Sequence, residues 1–157
     1  GDVSTTRVLG PDDVGTLRAM LATLGDAFED RAAYADAQPD DAYLRALLAR
    51  DTYVAIAALD GDRVVGGLSG YLLPKPEQAR SEVYLYDLAV AATHRRRGIA
   101  TALIDRLRDW AVERGAWVVY VQADLGDDPA IALYTKLGVR EDVLHFDIAP
   151  RRAPRGG

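Results

Sequence analysis

The sequence contains no cysteine and only two histidines among its 157 residues. The lack of thiols excludes disulfides, thiolate metal sites and a cysteine nucleophile. The two histidines, His94 and His145, lie far apart in the sequence, which disfavours a zinc site. We therefore expect a protein that uses no metal.

Long apolar segments are also absent. The longest wholly apolar run, Tyr53 to Leu59, is far shorter than the roughly 20 residues that span a bilayer. The N-terminal part has no apolar segment of the signal-peptide type. These features predict a cytoplasmic protein without a membrane partner.

Basic residues are outnumbered, with 19 Lys and Arg against 24 Asp and Glu, so the net charge is −5. This balance disfavours binding to nucleic acid and suits a cationic substrate. Hydrophobic residues make up 49% of the chain, which is enough for a packed core. The length predicts a single domain over residues 1–157, with an ordered core of about 5–149 and a flexible tail at 150–157.

The pattern of strands and helices predicts an α/β fold. The predicted strands are 5–9, 52–59, 63–73, 81–90, 116–123 and 143–148. The predicted helices begin at Gly10, Pro39, Gly98 and Asp127. We expect Gly25 to end the first helix. The three strands between Thr52 and Val90 should form an antiparallel meander, and the strand after the third helix should run parallel to strand 81–90.

A basic turn joins strand 81–90 to the third helix and ends in a glycine, in the pattern Arg95-x-x-Gly98-x-Ala100. Without a Cβ, Gly98 lets the backbone come close to an anion. The unpaired N–H groups and the dipole at the start of the helix favour phosphate there. The pattern is not a Walker loop, because no Gly-Lys-Ser/Thr follows, and it lacks the glycines of a dinucleotide fingerprint.

This motif follows Leu88-Ala89-Val90 and resembles the pyrophosphate loop of the GCN5-related N-acetyltransferases (GNAT), as does the order of elements over nearly the whole chain. The resemblance implies a mixed central sheet with helices on both faces and a splay between two parallel strands. Acetyl-CoA would lie in that gap. The implied cofactor contacts are Leu88, Ala89, Val90, Arg95, Arg96, Arg97, Gly98, Ile99, Ala100, Thr101, Asp127 and Tyr134.

Several longer runs look like the aminoglycoside 3-N-acetyltransferases of the gentamicin-modifying type. They include residues 71–75, 80–90, 94–103, 120–124, 126–130, 132–138 and 145–147. The resemblance implies direct acetyl transfer, in a ternary complex, to the 3-amino group of the 2-deoxystreptamine ring. Where many GNAT members carry Asn, this chain has Asp127, whose carboxylate could serve the amine substrate instead of pantetheine.

Amide formation from a thioester requires a base for the amine and a donor for the oxyanion. Strict alternation puts Glu82, Tyr84 and Tyr86 on one face of strand 81–90 and Asp87 on the other. GNAT strands commonly bulge here, and a bulge would redirect Asp87. We favour Asp87 as the base over Glu82, and both could act through water. The alternative for Asp87 is a carboxylate that caps backbone N–H groups.

The other two chemical roles have candidates as well. A backbone N–H near Leu88 would stabilise the oxyanion. Tyr134 matches the GNAT tyrosine that faces the cofactor sulfur, where a phenol can protonate or hydrogen-bond the leaving thiolate. The alternative for Tyr134 is an ordinary half-buried tyrosine on a helix.

Acidic residues occur in three clusters, and an aminoglycoside is a polycation. If the fold brings these clusters around one mouth, their field would concentrate the substrate there, although each cluster alone is typical of a solvated surface. The predicted substrate contacts are Glu29, Asp30, Tyr84, Tyr86, Asp124, Asp128, His145 and Asp147.

Two other functions remain open on the sequence. The same fold could acetylate a protein, a peptide or another polyamine-like amine. A non-catalytic protein that binds acetyl-CoA or an aminoglycoside is the third interpretation. The sequence also leaves a homodimer open.

Overall fold

A five-stranded mixed sheet organises the first of two units into which the chain divides, Gly1–Gln122 and Ala123–Gly157. The structure is a computed structural model that describes residues 4–152. Its strands lie across the sheet in chain order: β1 (Ser4–Val8), β2 (Tyr53–Asp60), β3 (Arg63–Pro74), β4 (Ser81–Val90) and β5 (Ala116–Val121). β1 to β4 pair antiparallel, and β5 runs parallel to β4. The predicted meander and the parallel pair are confirmed.

Helices cover both faces of this sheet, as predicted. They are α1 (Val14–Ala27), α2 (Arg31–Tyr34), α3 (Asp41–Leu48) and α4 (Ile99–Glu113). Ala55 and Ala57 of β2 share a buried cluster with leucines of α1 and α3. The alternate residues Val54 and Ile56 are buried on the opposite face, where α4 packs. Each fully buried leucine of α4, such as Leu103, contributes roughly 2 kcal/mol by leaving water.

β5 is the shorter of the two parallel strands, so its pairing with β4 stops before β4 ends. β5 pairs with β4 only as far as Leu85, which lies opposite Val121, whereas β4 continues to Val90. Within the first unit, the last residues of β4 therefore have no strand partner on the β5 side. This unpaired stretch includes the backbone of Leu88 and Val90, and it lies where the family resemblance predicts a splay between the two strands.

The predicted end of the first helix is wrong. α1 continues through Gly25 to Ala27. A Cβ at position 25 would lie 3.0 Å from the Cβ of Tyr34 in α2. This glycine allows two helices to approach closely, a role that a local pattern cannot distinguish from a helix stop.

In the second unit, the described residues 123–152 contain one regular element, α5 (Asp128–Leu137), which begins as predicted at the cap Asp127. The predicted final strand, 143–148, is wrong because these residues form neither strand nor helix and are exposed. Alternating apolar residues are a local signal, whereas a strand needs a neighbour. Part of the predicted tail, 153–157, lies outside the described residues, and the single-domain organisation stays a prediction.

None of the helices between residues 4 and 152 has the length and apolarity that crossing a bilayer requires.

Candidate active site

Asp87 lies where β4 bulges. Leu85 pairs with Gly70 and Asp87 pairs with Ser69, so Tyr86 is the extra residue. The bulge resets the alternation of side chains, and Asp87 joins the face of Tyr84 instead of the buried face of Leu85. The predicted bulge is confirmed, and it removes the objection that strict alternation raised against Asp87.

The Asp87 carboxylate is half-buried and bound by hydroxyl groups. Tyr34 Oη donates a hydrogen bond to Asp87 Oδ1 at 3.1 Å. Burial raises the pKa of Asp87, while the hydrogen bonds from Tyr34 and Ser69 act in the opposite direction. In the alternative interpretation, Asp87 would cap backbone N–H groups, whereas the hydrogen bonds described here come from side-chain hydroxyl groups. A partly desolvated carboxylate with a raised pKa is the more effective proton acceptor near neutral pH.

Glu82, the alternative base, has a different environment. Its Oε1 lies 3.7 Å from Lys75 Nζ, which also lies 3.7 Å from Glu77 Oε1. Glu82 therefore has its own cation, whereas Asp87 has no ion pair among the residues that the structure describes. This difference favours Asp87 as the base.

A row of tyrosine rings crosses the sheet beside Asp87. Neighbouring ring centroids are 5.6 Å apart for Tyr53 and Tyr71, 5.8 Å for Tyr71 and Tyr86, 5.7 Å for Tyr86 and Tyr84, and 4.7 Å for Tyr84 and Tyr120. Burial raises the pKa of Tyr71, Tyr84 and Tyr120. These three phenols therefore keep their protons at neutral pH. The row includes the predicted substrate contacts Tyr84 and Tyr86.

The turn before α4 has the geometry of an anion site. Gly98 is the N-cap of α4, with a left-handed φ of 76°, and no side chain caps this end. A Cβ at Gly98 would meet no protein atom within 4 Å, so the space beside it is open. Arg95 Nε donates to the Val90 carbonyl at 3.4 Å, which ties the basic turn to the end of β4.

A buried histidine anchors this turn, and sequence reasoning missed its role. His94 Nε2 lies 2.9 Å from Asp60 Oδ2 at the end of β2, and its Nδ1 lies 2.7 Å from Thr93 Oγ1. The contact holds the turn against the β2–β3 hairpin. In the sequence, His94 only begins the run 94–103 before the basic motif, and no local signal identified Asp60 as its partner.

In the second unit, Tyr134 of α5 is half-buried. Burial raises its pKa, with a smaller contribution from the charge of Asp127, so the phenol keeps its proton. Asp127 Oδ1 accepts a hydrogen bond from Ala130 N at 3.3 Å and caps α5. His145 Nε2 lies 2.8 Å from Asp147 Oδ1, and both are exposed.

The acidic clusters are at the surface. Asp30 caps α2 by accepting from Ala33 N at 3.2 Å, and its neighbour Glu29 is exposed with φ 54°. Asp124 and Asp128 are exposed in the second unit. Convergence of these clusters on one mouth would join both units and stays a prediction. The described residues include no group of three His, Asp or Glu side chains that could hold a metal ion.

Two of the solved structures that resemble this chain bear on its function. One, described as an aminoglycoside acetyltransferase from an uncultured soil metagenomic sample, is 52% identical, with a TM-score of 0.93 over 95% of this chain and 99% of that one. The other, also called an aminoglycoside acetyltransferase from such a sample, is in complex with sisomicin. It is 28% identical, with a TM-score of 0.87 over 94% of this chain and 97% of that one.

Two curated relatives are less similar in sequence than the first of these structures. L-2,4-diaminobutyric acid acetyltransferase of Nocardia farcinica is 31% identical over 82% of this chain and 67% of its own length. N-acetyltransferase 8B of Rattus norvegicus is 29% identical over 57% of this chain, which spans only 40% of that protein. The model of the acetyltransferase (GNAT) family matches residues 18–139, and the chain belongs to this family.

Proposed function

We propose that the protein transfers an acetyl group from acetyl-CoA to the 3-amino group of the 2-deoxystreptamine ring of gentamicin-class aminoglycosides, directly in a ternary complex. The observation that carries this proposal is Asp87. It is a half-buried carboxylate that a bulge redirects, next to the stretch of β4 that β5 leaves unpaired. Support for the substrate class comes from the aminoglycoside acetyltransferase at 52% identity.

The residues of the turn and of β4 fit acetyl-CoA. The uncapped start of α4 offers the N–H groups of Ile99, Ala100 and Thr101 to a pyrophosphate, beside the open space at Gly98. The free edge of β4 offers the backbone of Leu88 and Val90 to a pantetheine amide. When bound, the cofactor supplies the acetyl group as an activated thioester.

Asp87 handles the proton of the acceptor. An ammonium group cannot attack a carbonyl, so a cationic amine has to lose a proton first. A carboxylate binds the ammonium form but also raises its pKa, which opposes that loss. The carboxylate that binds the ammonium group must therefore also accept its proton. Burial raises the pKa of Asp87, which favours this proton transfer. Asp127 and Asp128, at a helix N-terminus, suit charge recognition instead because the dipole favours their ionised forms.

Tyr134→Phe is expected to lower turnover about tenfold, with a smaller effect on KM for acetyl-CoA. The reason is that its protonated phenol would act on the departing sulfur, hence mainly in the transition state. Steady-state kinetics measure the split between kcat and KM. Tyr43→Phe, at a 60% exposed tyrosine of α3, is the control. Wild-type turnover in Tyr134→Phe removes this residue from the chemistry.

Asp128→Asn is expected to raise KM for the aminoglycoside several-fold and to leave turnover nearly unchanged. The exposed carboxylate in the first turn of α5 would attract the cation without touching the reacting amine. The effect should weaken with added salt, because exposed charges are screened. Asp109→Asn, at an exposed acid of α4, is the control for net charge. Equal KM values for the two variants would remove Asp128 from substrate recognition.

Release of coenzyme A thiol from acetyl-CoA tests the proposed function. Gentamicin is offered as the acceptor beside 2,4-diaminobutyrate, as a small diamine, and a lysine-containing peptide. We expect fast thiol release with gentamicin and slow release with the diamine and the peptide. Fast release with the peptide or the diamine would favour another acetyltransferase, and drug binding without release would indicate a non-catalytic protein. The cytoplasmic location and the homodimer stay predictions.

A further inference from the structure

Tyr34 is the one residue of α2 whose hydroxyl reaches Asp87. The two residues are 53 positions apart in the chain, and the Tyr34 Oη to Asp87 Oδ1 distance is 3.1 Å. The Tyr34 ring also packs at 5.5 Å, centroid to centroid, against Phe28. The contact therefore joins the short helix that follows α1 to the bulge of β4.

One close approach and three hydrogen bonds fix the position of α2. Gly25 lies so close that an added Cβ would come within 3.0 Å of Tyr34 Cβ, and its carbonyl accepts a hydrogen bond from Asp30 N at 2.9 Å. Gln38 Nε2 donates to the carbonyl of Tyr34 at 3.1 Å and to that of Arg18 at 3.2 Å. The backbone of Tyr34 is thus held from α1 and from the chain that follows α2.

The Tyr34 hydroxyl keeps its proton at neutral pH and so remains a hydrogen-bond donor to Asp87. Burial, reinforced by the negative charge of Asp87, raises the pKa of Tyr34 to about 12. The other titratable groups that face Asp87 are Tyr53, Tyr71 and Tyr84, whose pKa values burial also raises. Below pH values at which phenols ionise, Asp87 is therefore the group in this set that changes charge.

We propose that Tyr34 is a positioning residue that orients the Asp87 carboxylate through its hydroxyl, and that Gly25 sets the helix approach that makes this contact. The role for catalysis rests on the proposed function of Asp87. The contact between Tyr34 and Asp87 does not depend on that function, because it exists in the protein without any substrate or cofactor. A hydrogen bond donated to a carboxylate favours its charged form, so Tyr34 also extends to lower pH the range in which Asp87 can accept a proton.

Tyr34→Phe removes the donor and keeps the ring. The acid limb of kcat/KM is expected to move to higher pH, because the carboxylate loses a bond to its charged form. On that limb the variant should be about tenfold slower than wild type, whereas at alkaline pH, where Asp87 is ionised in both proteins, only a smaller loss from the lost orientation should remain. A uniform loss at every pH would indicate a structural role only and would overturn the proposal, as would an unmoved limb. Tyr43→Phe is the control for removal of a hydroxyl.

Gly25→Ala tests the second half of the proposal with the hydroxyl in place. The added methyl should push Tyr34 away from Asp87 and reproduce the acid-limb shift of Tyr34→Phe. Gly15→Ala, in the same helix, is the matched control, because a Cβ there meets nothing within 4 Å. The control should show the wild-type profile. An unmoved limb in Gly25→Ala, with a folded protein by circular dichroism, would show that Gly25 does not set the contact.

Carbon-13 NMR of the aspartate carboxyl groups, without acetyl-CoA, separates this proposal from the proposed function. Asp87→Asn assigns the resonance, and its titration is compared between wild type and Tyr34→Phe. We expect the Asp87 titration to move to higher pH in the variant. If it moves while Asp87→Asn remains active, the contact is correct and the assignment of the base fails. If it does not move while Asp87→Asn is inactive, the base is correct and the role of Tyr34 is overturned.

Discussion

Asp87→Asn is expected to lower turnover with gentamicin about a thousandfold, the range typical for loss of a general base. Asparagine can accept the hydrogen bonds of Tyr34 and Ser69 but cannot take a proton from the amine. In the wild type, the rate should fall as pH falls through the raised pKa of Asp87. The variant should lack this limb. The measurement is kcat/KM for gentamicin as a function of pH.

The fold should survive this change, which separates loss of chemistry from loss of structure. Burial raises the pKa of Asp87, so the protonated form suits the folded state better and the ionised form costs stability as pH rises through that pKa. Asparagine carries no charge and avoids this cost. Tm of Asp87→Asn should therefore equal or exceed that of the wild type at neutral pH.

Glu82→Gln is the comparison variant, because Glu82 is the alternative base and already lies near Lys75. It should retain the acid limb. If Asp87→Asn instead keeps the wild-type rate and limb, the assignment to Asp87 is wrong. Glu82 acting through a water molecule then becomes the leading candidate.

Gly98→Val is expected to weaken acetyl-CoA binding by at least about a hundredfold. A β-branched residue is strained at the left-handed φ of 76°, and its side chain would enter the open space where the pyrophosphate approaches the N–H groups of α4. Calorimetry with acetyl-CoA measures the change in Kd. With valine at position 98, either the turn before α4 would have to shift or the pyrophosphate could no longer bind there.

Gly115→Val controls for strain alone. Gly115 follows α4, has φ 73°, and an added Cβ there also meets nothing within 4 Å. Both variants should lose stability by a similar amount, of the order expected for a side chain in left-handed backbone, about 1–2 kcal/mol. Only Gly98→Val should lose affinity. Equal affinities in the two variants would remove the pyrophosphate from this turn.

Features encoded in consecutive residues were predictable from the sequence. The strand, basic turn and helix around Gly98 lie within one stretch of chain, and the intervening helix fixes β4 and β5 as parallel neighbours. The bulge at Tyr86 was anticipated only through the family resemblance. Alternation alone assigns Asp87 to the wrong face, because the extra residue appears only in the pairing with β3.

Features that depend on distant pairs were not predictable. Tyr34 meets Asp87, and His94 meets Asp60, through contacts that no local pattern records. Gly25 was interpreted as a helix end because a close approach between helices leaves the same residue type in the sequence. The apolar alternation of residues 143–148 predicted a strand, but alternation describes a face and does not supply a neighbouring strand.

The acetylated product of gentamicin tests the proposed activity most directly. The purified protein is incubated with acetyl-CoA and gentamicin, and two-dimensional NMR locates the new acetamide. We predict a single acetyl group on the 3-amino nitrogen of the 2-deoxystreptamine ring. An acetyl group on a different nitrogen would contradict the proposed position, and the absence of any acetylated drug would contradict the proposed function.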